Sequence, residues 1–411
     1  MLKGTGGIAA VVLVALILRT AYICFFVDLS RDYYWEYGEI AKNLHMGKGY
    51  SLFDYDGARF EFRASPSAAP CPSAFMMPGY VAFLYPFLAV TEIEVRNALI
   101  LFVQALIGAG GVFLMFRFTD RYAGRREALV AAAVMACLPE FVYASGSYTP
   151  TVLFHLMFLA LLPVVYGLWA GHTLRSELGA GALLAALIYI RPEIALFAAV
   201  CLVALLLGRR QRVALHVGAV IVILLLPWQI RNAVVFHEWI PFTTSGGLNF
   251  FRGHNSLELG TFADDAILQG FSGLPRGSGF EPELSRLYFR RACVYIGAEP
   301  AEEFVRTAKK LMQLWIRDSS DPRSMSFLYL IPWLFVLAGA VTGVVRGAAW
   351  RRHRILILYL VCASAVAVVF LVLPRYQTMM KVALVPFTAM GVISVWDMLR
   401  PKNGVEPSGP E

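Results

Sequence analysis

The feature that most constrains this chain is a series of apolar segments, each about as long as a lipid bilayer is thick. The first covers residues 6–27. Lys3 precedes it and no small-x-small cleavage site follows it, which predicts an uncleaved spanning helix. The chain is 58% hydrophobic and only 16% charged, whereas soluble domains are about 25% charged. We therefore predict an all-α integral membrane protein, a polytopic helical bundle of about ten transmembrane helices.

Three arginine-rich loops orient the predicted bundle. Short loops rich in arginine stay on the cytoplasmic side of a membrane, so the net charge of +8 requires no nucleic acid to explain it. The loops contain Arg117, Arg121, Arg125 and Arg126, then Arg209, Arg210 and Arg212, then Arg346, Arg351, Arg352 and Arg354. The predicted spans are 6–27, 95–117, 127–144, 150–171, 178–190, 193–208, 213–228, 326–346, 354–373 and 380–398.

This topology divides the chain into an N-terminal and a C-terminal membrane part. Residues 1–228 form the N-terminal transmembrane module, which includes a first extracytoplasmic loop at 28–94. Residues 229–324 form a second extracytoplasmic region with amphipathic helices. Residues 325–398 form the C-terminal transmembrane helices, and 399–411 form a cytoplasmic tail.

Two shorter segments are predicted to lie at the outer membrane surface. Residues 76–91 are apolar but short and interrupted by two prolines, which predicts a half-inserted or surface helix. Residues 300–317 predict an amphipathic helix that lies on the membrane surface or caps a cavity.

The cysteines and histidines give no sign of a metal or of another cofactor. The sequence contains no CxxC and no HExxH spacing, so we predict no metal site and no cofactor. Only Cys71 and Cys293 fall in polar loops, where they could pair.

Several ionisable residues fall in the outer half of the predicted membrane region. A charge inside a membrane is costly and is therefore a candidate for function, although a long side chain near a helix end can also extend to the interface. Together these residues predict an outward-facing, positively charged cavity that suits a phosphate. They are Arg19, Arg96, Glu140, Arg191, Glu193 and Arg375.

The first outer loop concentrates acids and aromatics directly after the first helix. Residues 27–51 read VDLSRDYYWEYGEIAKNLHMGKGYS. A carboxylate at this level can act as a general base toward a hydroxyl group, and aromatic rings can stack on a sugar or form an interfacial belt.

Three motifs resemble those of bacterial family-39-like glycosyltransferases, which are related to protein O-mannosyltransferases and to the lipid A aminoarabinose transferase and have the GT-C fold. The first joins Tyr37-x-x-Ile40-Ala41-x-Asn43-Leu44-x-x-Gly47-x-Gly49-Tyr50-Ser51 to Met77-Pro78-Gly79-Tyr80. The second is PWQIRNAVVFHEWIPFTTSGGLNFFRGHNSLELG at 227–260. The third is Arg375-Tyr376 before Pro386.

The resemblance implies transfer of a sugar from a polyprenyl-phosphate donor to a hydroxyl acceptor on a glycolipid, a polysaccharide or a protein. In such enzymes the catalytic base is an aspartate four residues before the tyrosine that matches Tyr37. Tyr33 occupies that position here, so Asp32 is predicted as the base, with Asp28 and Glu36 as rivals. The predicted substrate-binding residues are Arg19, Tyr37, Arg96, Arg191, Asn249, His254 and Arg375.

This chain departs from the family pattern at two places. A glutamate that often follows the entry to the fourth helix corresponds to Pro150 here, and the family sequence Gly-Asn-Asn corresponds to Gly253-His254-Asn255. The predicted enzyme resides in the bacterial inner membrane with its active site on the extracytoplasmic side.

Two other functions are compatible with the sequence. A transporter or lipid flippase would also need an outward-facing polar cavity, although transporter sites lie near the middle of the membrane. A ligase or polymerase that uses a lipid-diphosphate donor differs from the preferred function only through the resemblance.

A single cysteine at Ala123, in the first arginine-rich loop, tests the predicted orientation. In a chain without its native cysteines, we expect Ala123→Cys to react with a membrane-impermeant thiol reagent only after the cells are permeabilised. Ser65→Cys, in the first outer loop, is the matched control and should react in intact cells. Labelling of Ala123→Cys in intact cells would contradict the topology.

Overall fold

The computed structural model describes residues 5–57, 60–171, 173–255, 273–317, 326–347 and 353–400. Within them the named strands form one hairpin of two-residue strands and the other regular elements are helices, which confirms the predicted all-α class. The helices are α1 (Thr5–Phe26), α2 (Trp35–His45), α3 (Pro78–Leu84), α4 (Ile93–Tyr122), α5 (Arg125–Cys137), α6 (Pro139–Ser145), α7 (Thr151–Ala170), α8 (Leu174–Ile190), α9 (Ile194–Leu207), α10 (Gln211–Phe236), α11 (Gly246–Gly253), α12 (Phe280–Ala298), α13 (Pro300–Trp315), α14 (Phe327–Gly347), α15 (Arg354–Val369) and α16 (Pro374–Leu399). The strands are β1 (Asp54–Tyr55) and β2 (Phe60–Glu61).

Six of the described helices are long and apolar enough to cross a membrane, namely α1, α4, α7, α10, α14 and α16. The pair α5 and α6 counts as a seventh if its two halves form one span bent by 56°. The helices α9 and α15 are apolar but have only 14 and 16 residues. Length and composition therefore support six or seven spans, compared with about ten predicted.

The break between α5 and α6 results from Pro139. The sequence predicted one helix over 127–144. Proline lacks a backbone N–H, and it favours an extended conformation in the preceding residue. Leu138 has that conformation, with φ −62° and ψ 125°.

The predicted cytoplasmic loops and the predicted outer loops lie at opposite ends of the bundle. At one end, Arg126 makes two hydrogen bonds to Asp397, at 3.1 and 2.7 Å. At the same end, Arg210 donates to the carbonyl groups of Leu168 and Trp169 at the C-terminus of α7. The other end, which we call the loop end, contains residues 27–92 and 237–255 together with α12.

Two Arg-Asn pairs, Arg96-Asn97 on α4 and Arg231-Asn232 on α10, attach loop segments to the loop end of the bundle. On α4, Asn97 donates to the carbonyl groups of Leu29 and Arg31, at 2.6 and 3.0 Å. On α10, Arg231 donates to the carbonyl groups of Ser73 and Tyr50, at 2.6 and 2.9 Å. Each loop is thereby fixed to a helix that extends through the bundle.

Other residues of the PW-x-x-RN motif, which is PWQIRN at 227–232, attach the chain that follows α10. Trp228 Nε1 donates to the carbonyl group of Phe242 at 2.8 Å, and Asn232 donates to that of Ile240 at 3.1 Å. The guanidinium of Arg231 lies 5.3 Å from the ring centre of Trp228. The motif therefore has a structural role: it positions the chain that follows α10.

The two surface segments form helices, as predicted. Residues 76–91 contain α3 and a 3₁₀ turn at Tyr85–Ala89, and neither is long enough to span a membrane. On α13, Phe304 and Leu311 are exposed, whereas Lys310 and Gln313 face the bundle and are buried. The apolar side of α13 therefore points away from the protein, which fits a position against lipid.

Cys71 and Cys293, which could pair by their positions in the sequence, do not form a disulfide. Both thiols are free, Cys71 buried and Cys293 exposed. Cys71 packs in an aromatic cluster with Phe53, Phe75 and Phe280. Its position in a polar stretch of sequence did not reveal this burial.

Glycines allow α14 and α16 to pack closely. A Cβ atom at Gly343 would meet the backbone carbonyl oxygen of Phe387 and the backbone nitrogen of Gly391. Small residues four apart commonly allow such close contact between membrane helices.

We expect Gly343→Ala to lower the free energy of unfolding by about 1–3 kcal/mol, because the added methyl group overpacks this contact. Gly167→Ala on α7 is the matched control. A Cβ atom there has no neighbour within 4 Å, and alanine favours a helix over glycine by about 1 kcal/mol. Thermal unfolding in detergent measures both variants. Equal midpoints would contradict the close contact.

Candidate active site

A cavity of about 460 Å³ opens where the loops meet the bundle. Its polar side chains come from the first loop, the corner between α8 and α9, and the chain around α11: Glu36, Tyr37, Arg191, Glu193, Thr243, Ser245, Asn249 and Arg252. Its apolar side chains come from α7, α9, α15 and α16, and include Phe154, Phe197, Tyr359, Val366 and Met380.

The apolar part of the cavity extends into the bundle. Tyr359 lines it and lies ten residues before Val369, the end of α15. At 1.5 Å per residue, this places Tyr359 about 15 Å from that end of the helix. The cavity therefore combines a polar mouth with an apolar slot that is suited to a molecule with a charged head and a hydrocarbon chain.

Arg191 is the buried cation of this cavity. It follows α8 directly, precedes Pro192 and is 5% exposed. Its nearest charged partner in the described part of the chain is Glu193, 3.7 Å away, and the ring centre of Tyr376 lies 5.9 Å from the guanidinium. No hydrogen bond from the guanidinium to another described residue is found, and its Nε is buried without a partner.

Arg19 is equally buried, and its Nε also lacks a partner, but its two terminal nitrogens make hydrogen bonds. It donates to the carbonyl groups of Met135 and Ala136, at 3.1 and 3.2 Å, and to that of Ala15 at 3.0 Å. Met135 and Ala136 lie four residues before Pro139 and Glu140, where the helix break removes the usual donors. Arg19 thus stabilises the break, and it is not among the residues that line the cavity.

Arg96 also has hydrogen-bond partners within the protein. Its Nε donates to the hydroxyl group of Tyr34 at 2.7 Å, and its other nitrogens donate to Asp32 at 2.7 Å and to the carbonyl group of Val90 at 3.2 Å. Arg96 therefore positions the first loop and does not reach the cavity.

Asp32 is not among the cavity-lining residues, although Glu36 of the same loop is. Its Oδ1 contacts Arg96 and Lys42, at 2.7 and 3.1 Å, and its side chain is 42% exposed. Glu36, one turn further along the chain, lines the cavity itself. Both carboxylates are therefore candidates for the base.

The backbone between Asp32 and Tyr37 has an unusual conformation. Trp35 is left-handed with φ 57°, which costs a residue with a side chain about 1–2 kcal/mol. Tyr37 keeps its place on the cavity, where its ring meets that of Tyr80 edge-on at 5.3 Å.

Of the remaining predicted residues, some line the cavity and others lie behind it. Asn249 lines the cavity, whereas His254 lies behind it, with Nδ1 2.7 Å from Glu303 and Nε2 2.6 Å from the carbonyl oxygen of Val369. Burial lowers the pKa of His254. The side chain of Arg375 is outside the described part of the structure, although its backbone begins α16 beside Tyr376, which lines the cavity.

Sequence reasoning missed Arg252 and Lys381. Arg252 lies between Asn249 and His254 and lines the cavity, so its position in the motif was the available signal. Lys381 forms an ion pair with Glu140 inside the bundle and lies 4.7 Å from the ring centre of Trp333. Among the described residues, no three His, Cys, Asp or Glu side chains form a group that could hold a metal ion.

The fold is that of the GT-C glycosyltransferases. It matches archaeal oligosaccharyltransferase AglB from Archaeoglobus fulgidus, in complex with an inhibitory peptide and a dolichol-phosphate, with a TM-score of 0.57 and 14% identity over 97% of this chain and 51% of that one. The same oligosaccharyltransferase, tethered to an acceptor peptide, matches with a TM-score of 0.56, 14% identity and coverage of 95% and 50%. The chain thus spans about half the length of these proteins.

The sequence itself matches a family model. Residues 78–230 match the model of dolichyl-phosphate-mannose-protein mannosyltransferases, which confirms the resemblance predicted from the motifs. ArnT from Cupriavidus metallidurans, bound to undecaprenyl phosphate, matches with a TM-score of 0.44 and 14% identity over 95% of this chain and 79% of that one. A search of curated protein sequences finds no match.

The two buried arginines should respond in opposite ways to replacement. Arg19→Gln leaves carbonyl groups at the α5–α6 break without donors, and we expect it to lower the free energy of unfolding by about 1–3 kcal/mol. Arg191→Gln removes a buried charge that lacks hydrogen-bond partners. Its ion-pair partner Glu193 is 34% exposed and can be hydrated, so the variant should leave the unfolding midpoint unchanged or raise it. Thermal unfolding of the ligand-free protein in detergent compares the two. A larger loss for Arg191→Gln would show that its guanidinium is already satisfied.

Proposed function

We propose that this protein is a membrane glycosyltransferase that transfers a sugar from a polyprenyl-phosphate donor to a hydroxyl acceptor. The observation that carries the proposal is Arg191, a buried guanidinium without hydrogen bonds to the described residues, at the junction of a polar mouth and an apolar slot. Glu193, 3.7 Å away, balances its charge without accepting a hydrogen bond, so the donors of the guanidinium remain available to an anionic group in the cavity.

A polyprenyl phosphate satisfies both parts of the cavity. Its hydrocarbon chain fits among the apolar side chains of α9 and α15, and its phosphate then meets Arg191 at the mouth. Arginine suits this role because its planar guanidinium can donate two parallel hydrogen bonds to phosphate oxygens. Arg252 and Asn249 lie on the same cavity and supply further donors.

The transfer needs one base and one stabilised leaving group. Asp32 accepts the proton of the acceptor hydroxyl while that oxygen forms a bond to the anomeric carbon of the sugar. The bond between this carbon and the phosphate oxygen breaks in the same displacement, and the configuration at the carbon inverts. Arg191 stabilises the charge that develops on the departing lipid phosphate.

We assign the base to Asp32 because its carboxylate is oriented by two fixed cations while remaining open to an incoming hydroxyl. An oriented base loses less freedom in the transition state than a mobile one. Glu36 points into the cavity and is the direct rival.

The comparisons support the chemical class of the two substrates. The oligosaccharyltransferase with the same fold was solved with a dolichol-phosphate and with acceptor peptides. For the present chain we propose a lipid-linked sugar as donor and a glycolipid, polysaccharide or protein as acceptor. The arginine-rich loops at the opposite end favour a loop end outside the cytoplasm, and we propose the outer face of the bacterial inner membrane as the location.

Two substitutions separate donor binding from turnover. Asp32→Asn should keep donor binding and lower turnover by about 10²–10⁴-fold, the usual effect of removing a general base. Arg191→Ala should abolish binding of undecaprenyl phosphate, and Arg191→Lys should weaken it, because lysine keeps the charge but loses the two-pronged contact. Binding is measured with the purified protein. Turnover is judged in cells that carry each variant, by the accumulation of polyprenyl-phosphate sugar in lipid extracts.

The controls decide between the carboxylates. Asp28→Asn changes an exposed residue of the same loop, which pairs with Arg31, and should have no effect. Loss of turnover in Glu36→Gln with normal turnover in Asp32→Asn would transfer the role of base to Glu36. Unchanged binding of undecaprenyl phosphate in Arg191→Ala would refute the proposed donor site.

A further inference from the structure

Glu281 is a buried carboxylate that the proposed transfer does not use. It lies in the first turn of α12, is 1% exposed and does not line the cavity. A buried carboxylate is costly unless hydrogen bonds compensate for its lost hydration. Its contacts therefore show what it stabilises.

One oxygen of Glu281 joins two separate segments of the loop end. Its Oε2 accepts a hydrogen bond from the backbone N–H of Ala74 and another from the hydroxyl group of Thr244, each at 2.7 Å. The N–H of Thr244 in turn donates to the carbonyl group of Ala74 at 3.0 Å. The three residues form a closed ring of hydrogen bonds, which we call the wall clamp.

The two segments that meet at the wall clamp form part of the cavity wall. Phe75, Met76 and Met77 directly follow Ala74, and Thr243 and Ser245 flank Thr244. All five line the cavity. The position of this part of the wall therefore depends on the wall clamp.

We propose that Glu281 is a positioning residue of the cavity, and that its ionisation determines how tightly the wall clamp holds the two wall segments. Hydrogen bonds to a carboxylate are about twice as strong as those to a neutral oxygen. The wall is therefore held more tightly when Glu281 is charged. The role in substrate binding rests on the proposed function, whereas the effect on the wall does not.

The surroundings of Glu281 bring its ionisation near neutral pH. Burial raises the pKa of Glu281 to about 7, against the opposing effects of hydrogen bonds from Ser73, Ala74 and Thr244 and of the Arg231 charge. The titratable groups that face it from neighbouring elements are Arg231 on α10, and Tyr50 and Cys71 in the first loop.

Wall tightness and overall stability should change in opposite directions with pH. Because the folded state raises the pKa of Glu281 above 4.5, its ordinary value, folding favours the neutral form. This contribution to stability is fully present below about pH 4.5 and is lost as the pH rises through about 7. Over the same range the hydrogen bonds of the wall clamp become stronger.

A cysteine on the wall measures its tightness without any substrate. In a chain without its native cysteines, the alkylation rate of Met76→Cys is divided by that of Leu196→Cys, which lines the cavity from α9. The ratio cancels the shared pH dependence of thiol chemistry. We expect it to fall several-fold as the pH rises through 7, and to stay constant when Glu281→Gln is added.

Binding of undecaprenyl phosphate provides the second readout. Glu281→Gln keeps an oxygen that can accept both hydrogen bonds, so it should preserve binding but flatten its pH dependence. Glu281→Ala removes the wall clamp and should weaken binding about tenfold, equivalent to one lost hydrogen bond to a charged group. Glu283→Gln, on the same turn but outside the wall clamp, is the matched control and should behave as the unmodified chain.

The two readouts separate the two proposals. If the alkylation ratio behaves as expected but the unmodified chain binds no undecaprenyl phosphate, the positioning role stands and the proposed function fails. If Glu281→Gln keeps the pH dependence of the ratio, or if folded Glu281→Ala keeps the ratio of the parent chain, the positioning role is overturned. Either of these two outcomes would leave the proposed donor unaffected.

Discussion

A cation buried in a bilayer must find hydrogen-bond acceptors inside the protein, because hydrocarbon offers none. This requirement accounts for much of the architecture. Regular helices use most of their own carbonyl groups, so free acceptors concentrate where the backbone departs from a helix. Arg19 uses the break before Pro139, Arg96 uses two side chains of the first loop and the carbonyl group of Val90, and Arg231 uses the segments that follow α2. The arginines and the irregular backbone therefore stabilise each other.

The loop end is rigid for the same reason. The two Arg-Asn pairs attach loops to helices that extend through the bundle, and the wall clamp joins those loops to α12. A site assembled from loops normally loses precision because loops move. Here the backbone beside the cavity is held from several directions. Arg191 can then remain without acceptors, because the surrounding structure does not depend on it.

The sequence predicted the helices well, because apolar segments with arginine-rich ends leave little choice in a membrane. It could not distinguish the roles of Arg19, Arg96 and Arg191. All three lie in the same half of the membrane, and only the folded structure shows which carbonyl groups are near each one. The sequence also contained no sign of the role of Glu281. A glutamate in a polar stretch is ordinary, and its burial depends on segments more than 30 residues away in sequence. The offset between Asp32 and Tyr37 could be seen in the sequence, but the left-handed conformation of Trp35 could not.

Two of the four helices that line the cavity with apolar side chains are short. With 14 and 16 residues, α9 and α15 reach only about 21 and 24 Å, less than the roughly 30 Å of a hydrocarbon core. A bilayer beside such helices thins so that their polar ends are not buried in hydrocarbon, at a cost of fractions of a kcal/mol per Å of mismatch. A lipid that diffuses toward the cavity would then cross a local depression in the bilayer, which lowers its head group toward the level of Arg191. The rate of the proposed transfer should therefore vary with the thickness of the surrounding membrane.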